Sequence, residues 1–270
     1  MEIAETGVAP PADQAKASLM IARRRRITEL VEMKRMVRVT ELVELFGVSD
    51  VTIRNDLEAL AKEGVLLRDH GGAVAQTRTG LSTAFDQRAL LNLDAKQRIG
   101  AAAAAMVRSG ETIILDAGTT LMEMAKCLRT DIAMTVITNS LNIATEIGSR
   151  PRAHVILAGG SLSPQTISTV GPLAERDIGE LLADTLFLAI PAFDPELGLS
   201  DTSLEVARVK TTMIAAASRV VLLADSTKYA TRAFARVAPL ADIDCLITDQ
   251  RFPEDATRQL MSQGITVHRV

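Results

Sequence analysis

Ser49-Asp50-Val51-Thr52-Ile53-Arg54-Asn55-Asp56-Leu57 decides how this chain is read. Ser49 suits a helix N-cap, because its hydroxyl can accept from a backbone N–H of the first turn. Val51, Ile53 and Leu57 are expected to anchor the helix. Asp50, Thr52, Arg54 and Asn55 are then left to project outward. Arg donates two parallel bonds to guanine, and Asn pairs with adenine in the same bidentate way. Ser and Thr more often position phosphates. Taken alone, the stretch also fits an ordinary amphipathic helix, so its neighbours matter.

Upstream, Thr40 is expected to cap a helix whose buried side is Leu42, Val43, Leu45 and Phe46, with Gly47 as its C′ residue. Only a short Gly-containing turn separates it from Ser49, the spacing of a helix-turn-helix. Further back, Ile21, Ile27, Leu30, Val31 and Met33 mark another helix, and Met36-Val37-Arg38-Val39 reads as extended. Downstream, Gly64 is expected to end the third helix. Val65-Leu66-Leu67-Arg68 reads as a strand, and Asp69-His70-Gly71-Gly72-Ala73-Val74 as a turn into a return strand. The pattern predicts a winged helix-turn-helix over 19–76, preceded by a tail without regular structure over 1–18.

Charge supports a nucleic-acid partner locally. The net charge is −3, yet 18–78 hold eleven Lys or Arg against nine Asp or Glu, and Arg23, Arg24, Arg25 and Arg26 are consecutive. A basic cluster acts on phosphates even on an acidic protein, because screening limits distant charges to a reach of about 10 Å. The bland alternative for the arginine run is a solvated helix start. Cys127 and Cys245 lie in apolar runs, which predicts buried reduced thiols and neither a disulfide frame nor a zinc site. No stretch is long and apolar enough for a membrane span, and the N-terminus lacks a signal layout, so a cytoplasmic protein with no membrane partner is expected.

A connecting segment is expected over 77–95, followed by an α/β domain over 96–270. Strands are predicted at 112–115, 135–138, 154–158, 185–190, 220–224 and 244–248, with helices at 119–129, 140–148, 203–217 and 254–263. The strands are continuous apolar runs, as in a mainly parallel, Rossmann-like sheet covered on both faces. Loops after the strands carry Asp116-Ala117-Gly118-Thr119-Thr120, Thr138-Asn139-Ser140, Ala158-Gly159-Gly160-Ser161 and Asp225-Ser226-Thr227-Lys228. Helix N-termini attract anions, and ligands gather beyond the carboxyl ends of parallel strands. Gly118, Thr119 and Thr120 therefore form a candidate phosphate cradle, with Lys228 supplying a formal charge. The Walker A lysine and spacing are absent from the cradle, so an ATPase reading is poor.

Arg26-Ile27, Val39-Thr40-Glu41-Leu42, Phe46 through Leu57, Leu60, Gly64, Arg68 and His70-Gly71-Gly72-Ala73 together resemble the signature of the DeoR family of bacterial transcription regulators. The resemblance continues through the C-terminal loops and implies a fold similar to ribose-5-phosphate isomerase and coenzyme A transferases. It implies a regulator, usually a repressor of a sugar operon, that binds double-stranded DNA, responds to a phosphorylated sugar or related metabolite, and forms a homodimer or homotetramer. Arg26, Thr40, Ser49, Asp50, Thr52, Arg54, Asn55, Arg68, His70 and Gly71 are its DNA-facing candidates. Gly118, Thr119, Thr120 and Lys228 fall to the phosphate, and Asp116, Asn139, Gly160, Asp201 and Glu205 to the rest of the pocket, with Lys210 near the ligand. No catalytic residue, metal or cofactor is expected. The chain departs from the family at Ala189-Ile190-Pro191-Ala192-Phe193-Asp194, where glycines are usual, which bears on the sugar-facing side of the pocket. Two alternatives are an isomerase-like enzyme using Asp194, Asp201 or Glu205 as a base, and a scaffold whose winged helix binds protein.

Overall fold

The computed structural model describes residues 12–34, 36–62, 65–69, 71–75 and 83–270. The chain divides into two compact units, Met1–Gly80 and Leu81–Val270.

In the first unit, α1 (Ala12–Lys34) leads into β1 (Met36–Arg38), α2 (Val39–Phe46), α3 (Asp50–Lys62), β2 (Leu66–Asp69) and β3 (Gly72–Ala75). Ile27, Leu30 and Val31 of α1 share one core with Val39, Leu42, Ile53, Leu57, Leu60, Leu66 and Ala73. The three strands pair antiparallel in the order β1-β3-β2. Gly47 ends α2 in the left-handed region at φ 62°, its N–H donating to the Val43 carbonyl at 2.9 Å. Gly72 has no substitute, because a Cβ there would lie 2.1 Å from the Val37 carbonyl oxygen.

Two expectations change here. The helix already includes residues 12–18, whose Ala, Lys and Gln favour helix without an apolar period to announce it. α2 starts at Val39, with Arg38 as N-cap and no side-chain capping bond, so Thr40 lies inside the first turn and does not cap it. Residues 1–11, Gly64 and His70 lie outside the described residues.

The first described elements of the second unit are α4 (Thr83–Leu90), which lies inside the expected connector, and α5 (Leu93–Ala104), a helix that the alanine run 101–105 already suggested from Asp94 onward. Phe85 is the one large buried anchor seen in α4, too little to make a periodic signal. Alternation follows: β4 (Thr112–Leu115), α6 (Thr119–Cys127), β5 (Met134–Thr138), α7 (Leu141–Gly148), β6 (Ala153–Leu157), β7 (Ser161–Ser163), β8 (Ser168–Val170), α8 (Pro172–Gly179) and β9 (Ala183–Ala189). The chain continues through β10 (Ala192–Asp194), β11 (Gly198–Asp201), α9 (Leu204–Ala215), β12 (Ala217–Leu223), β13 (Ala235–Ala238), β14 (Cys245–Thr248), α10 (Glu254–Ser262) and β15 (Thr266–Arg269).

Seven strands form a wholly parallel sheet in the order β15-β14-β12-β9-β4-β5-β6. Successive residues of each strand enter opposite cores, as the two-residue period requires. Ile113, Leu115, Val136, Phe187, Val221 and Ile247 pack against Ile99, Leu121, Met124, Ile143 and Ile147 from α5, α6 and α7. Ile114, Ile137, Leu186, Leu188, Leu222 and Leu246 pack against Ile178, Val209, Met213 and Leu260 from α8, α9 and α10. From β4 the chain winds outward to β5 and β6; from β9 it winds the other way to β12, β14 and β15. The order reverses between β4 and β9, and a crevice opens beyond the carboxyl ends of strands at such a point.

Smaller elements escaped the sequence reading. β7 and β8 form a separate hairpin, and β10, β11 and β13 a separate antiparallel sheet. Cys245 is buried as expected, whereas Cys127 is exposed at the end of α6.

Candidate functional site

In the first unit α3 turns Ile53, Asp56, Leu57 and Leu60 inward and Val51, Arg54, Asn55 and Glu58 outward. Val51 is 65% exposed, which corrects its expected role as an anchor. Residues two apart on a helix lie about 200° apart, so Val51 and Ile53 cannot share a face. Ser49 does cap the helix, its Oγ accepting from the Thr52 N–H at 3.2 Å and meeting the Thr52 hydroxyl at 2.8 Å. Arg54 is exposed but engaged: its Nε and Nη2 both donate to the Asp50 carboxylate, the second at 3.2 Å to Oδ2. That contact holds the Asp50 carboxyl below its ordinary value. Asn55 has no side-chain partner among the described residues. Thr40, Arg68 and Gly71 are exposed, and Arg26 is exposed beside Glu29 at 2.8 Å.

The arginine run divides between two tasks. Arg23 Nε and Arg24 Nε donate to the two oxygens of Asp56 at 2.6 and 2.8 Å. Asp56 is buried on α3, so this fork ties α1 to α3. Arg25 and Arg26 point to solvent and share Glu29.

In the second unit the crevice between β4 and β9 is a cleft of about 210 Å³. Ala117, Gly118, Thr119 and Thr120 line one side, and Ala189, Ile190 and Pro191 another. Asp201 to Ser203, Lys210 and the 224–228 loop complete the sheet-side wall. Gly118 is the N-cap of α6 and provides no side-chain cap, so N–H groups of the first turn remain for a ligand. A Cβ on Gly118 would come within 3.0 Å of the Ala189 Cβ. Four cations line the cleft: Arg88, Lys96, Lys210 and Lys228.

Their surroundings differ. Lys210 is buried and donates to Asp116, to the Ala189 carbonyl at 2.7 Å and towards Asp201 at 3.8 Å. Asp116 also accepts the Ala189 N–H at 3.1 Å. Burial pushes the Asp116 carboxyl up from its ordinary value, against the pull of Lys210. This pair knits β4, β9 and α9 together beneath the cleft. Lys96 is buried and donates to the Arg88 carbonyl. Burial brings its ammonium down to about 8, with Lys228 and Arg88 adding to the fall and Asp225 opposing it. Arg88 donates to the Gln165 carbonyl in the β7–β8 turn. Lys228 forms no ion pair among the described residues.

Of the pocket residues expected from sequence, Gly118, Thr119, Thr120, Asp201 and Lys228 meet at the cleft, and Asp116 lies beneath it. Asn139, Gly160 and Glu205 are not in its lining. Asn139 instead donates to the Thr169 carbonyl at 2.9 Å, and Gly160 passes so close to β8 that a Cβ would lie 2.6 Å from the Val170 carbonyl oxygen. Glu205 is exposed on α9. Arg88, Asn92, Lys96, Gln165 and Thr166 line the cleft without having been anticipated. One signal was available: Lys96 keeps register with buried Ile99, Gly100 and Ala103, and a lysine within an apolar helical stripe needs a partner.

The unusual 189–194 loop does not fill the cleft. Phe193 is fully buried against Tyr229 and Phe252, at ring separations of 5.4 and 6.2 Å. Asp194 accepts the Glu196 and Leu197 N–H groups and meets Arg232 at 3.0 Å. Of the three carboxylates an enzyme reading relied on, only Asp201 borders the cleft. No helix among the described residues is long and apolar enough to cross a membrane.

Comparisons with known proteins agree with this arrangement. The DeoR-like helix-turn-helix domain matches residues 23–79, and the DeoR C terminal sensor domain matches residues 91–250. The chain is 39% identical to the HTH-type transcriptional regulator YulB of Bacillus subtilis (strain 168), over 93% of this chain and 97% of that protein. It is 32% identical to a putative aga operon transcriptional repressor of Escherichia coli O157:H7, over 91% and 92% of the two chains. Among solved structures, a ribose 5-phosphate isomerase A from Methanocaldococcus jannaschii superposes with a TM-score of 0.39 at 15% identity, over 51% of this chain and 55% of that one. The fold assignment rests on strand order and on the family matches. The chain belongs to the DeoR family of transcriptional regulators: a DNA-binding helix-turn-helix followed by a sensor domain.

Proposed function

We propose that the protein is a repressor of a carbohydrate operon and that a phosphorylated sugar in the sensor cleft alters its hold on operator DNA. Arg54, Asn55 and Thr52 read base edges or position phosphates. Arg26, Thr40, Ser49, Arg68, His70 and Gly71 position the duplex. A homodimer or homotetramer presents two copies of α3 to paired half-sites.

The observation that carries the ligand reading is the convergence of an uncapped helix N-terminus with Lys96 and Lys228 at the switch point of the sheet. The phosphate lies at Gly118, Thr119 and Thr120, beside Lys228. Hydroxyls of the sugar meet Asp201, Ser203 and Thr166 across the cleft, and Ile190 and Pro191 cover an apolar edge. Ligand contact with Arg88 and Lys96 reaches α4, the first described helix after the DNA-binding unit, and supplies a route for differential binding of two states.

A thermal-shift screen of sugar monophosphates tests the site. A ligand at one hundred times its dissociation constant stabilises the native state by about 2.7 kcal/mol. The shift should appear with a phosphorylated sugar and shrink in Lys228→Ala. Equal shifts in both proteins would remove Lys228 from the site.

A further inference from the structure

Val51 is a β-branched apolar side chain on the water-facing stripe of α3, outside the core of its unit. That stripe runs Val51, Arg54, Asn55, Glu58 and Lys62. Its chemistry divides along the helix. Glu58 and Lys62 pair with each other at 3.0 Å in the later turns, a solvated surface. Val51, Arg54 and Asn55 occupy the first two turns, the end of a recognition helix that meets base edges. Valine adds nothing to helix propensity there and contributes no packing. Leu182 and Phe234 are more exposed, so exposure alone marks nothing; position among base-reading side chains does. The isopropyl group makes no hydrogen bond, and the apolar feature of the major groove is the thymine C5-methyl. Asp50, beside it, disfavours a phosphate at this point of the surface and holds the Arg54 guanidinium.

We propose that Val51 is a specificity-determining residue that reads a thymine through its C5-methyl group, next to the bases met by Arg54 and Asn55. This rests on α3 being the groove-reading helix.

The test starts from an operator duplex selected out of a random library by the full-length protein. Each thymine is replaced in turn by deoxyuridine, which removes only the methyl, and affinity is read by fluorescence anisotropy. At one thymine per half-site the wild type should lose about fourfold, the value of one buried methyl. Val51→Ala should bind the parent duplex more weakly and be indifferent to uridine at that same thymine. Its circular dichroism should match the wild type, since Val51 is outside the core. The proposal is overturned if no uridine substitution changes wild-type affinity, or if Val51→Ala keeps the wild-type sensitivity. Arg54→Ala and Asn55→Ala separate the two levels. If they weaken binding while the uridine series is flat, only the Val51 assignment fails. If they too leave affinity unchanged, α3 is not the reading helix.

Discussion

Replacing the four consecutive arginines in pairs should separate folding from DNA binding. Arg23 and Arg24 each give Asp56 one charge-assisted bond, at 2.6 and 2.8 Å. Such bonds contribute about 1.5–3 kcal/mol each. The arginine side chains keep 16% and 24% exposure, so residual solvent places them near the lower end. Arg23→Ala or Arg24→Ala should therefore cost the DNA-binding unit about 1.5 kcal/mol. Replacing both strands a buried carboxylate without a partner, and about 3 kcal/mol is then lost. With a urea dependence of about 1 kcal/mol/M for so small a unit, the double variant unfolds about 3 M earlier. Tyr229 is the only tyrosine and there is no tryptophan, so tyrosine fluorescence reports the sensor domain alone. Far-UV circular dichroism should show the early phase move while the Tyr229 midpoint stays fixed. Arg25 and Arg26 are 83% and 56% exposed, and the Arg25→Ala/Arg26→Ala pair should leave both midpoints in place. If those two arginines meet backbone phosphates, the log–log salt slope of operator binding should flatten by about 0.9 for each. An early phase unmoved by Arg23→Ala/Arg24→Ala, or moved alike by both pairs, would show that the Arg23–Asp56–Arg24 fork does not hold α1 to α3.

Three more outcomes follow from the sensor domain. Lys228→Ala should weaken a sugar monophosphate at least tenfold in calorimetry without altering the Tyr229 unfolding midpoint of the ligand-free protein. Lys96 titrates near 8 in the folded chain against an ordinary 10.5, so its charge, and with it anion affinity, should fade as pH rises through 8. Between those two values the unfolded chain holds the extra proton, so ligand-free stability should rise over the same interval, and Lys96→Met should abolish both trends. Lys210→Met leaves Asp116 buried beside no cation and should cost about 3–5 kcal/mol in Tyr229-monitored unfolding, with Lys210→Met/Asp116→Asn recovering part of it.

The extent to which the sequence revealed the site follows from interaction range. α3 was legible from apolar residues at helical spacing, and six of the seven strands of the parallel sheet from continuous apolar runs bounded by turn residues. The strand-to-helix turn at Gly118-Thr119-Thr120, which borders the cleft, was legible because a glycine and two hydroxyl residues follow an apolar strand. The three-residue strands β7, β8 and β10 are shorter than any period can reveal. α4 buries Phe85 and otherwise reads as polar connector, which hid Arg88 and Asn92 from view. Glu205 matched the family pattern and yet lies off the cleft, because sequence spacing does not say which face of α9 turns inward. The Arg23–Asp56 and Lys210–Asp116 pairs join residues 33 and 94 positions apart, and no local pattern encodes such partners.

On the proposed function, one chain couples sequence-selective DNA binding to a phosphorylated ligand in the sensor cleft. The most direct measurement is anisotropy of a library-selected operator with the full-length protein, in the presence of sugar monophosphates and of the same sugars without phosphate. At least one monophosphate should change operator affinity tenfold or more, its unphosphorylated sugar should not, and Lys228→Ala should blunt the response. An equal effect of the unphosphorylated sugar, or no effect of any monophosphate on a protein that binds its operator, would contradict this coupling.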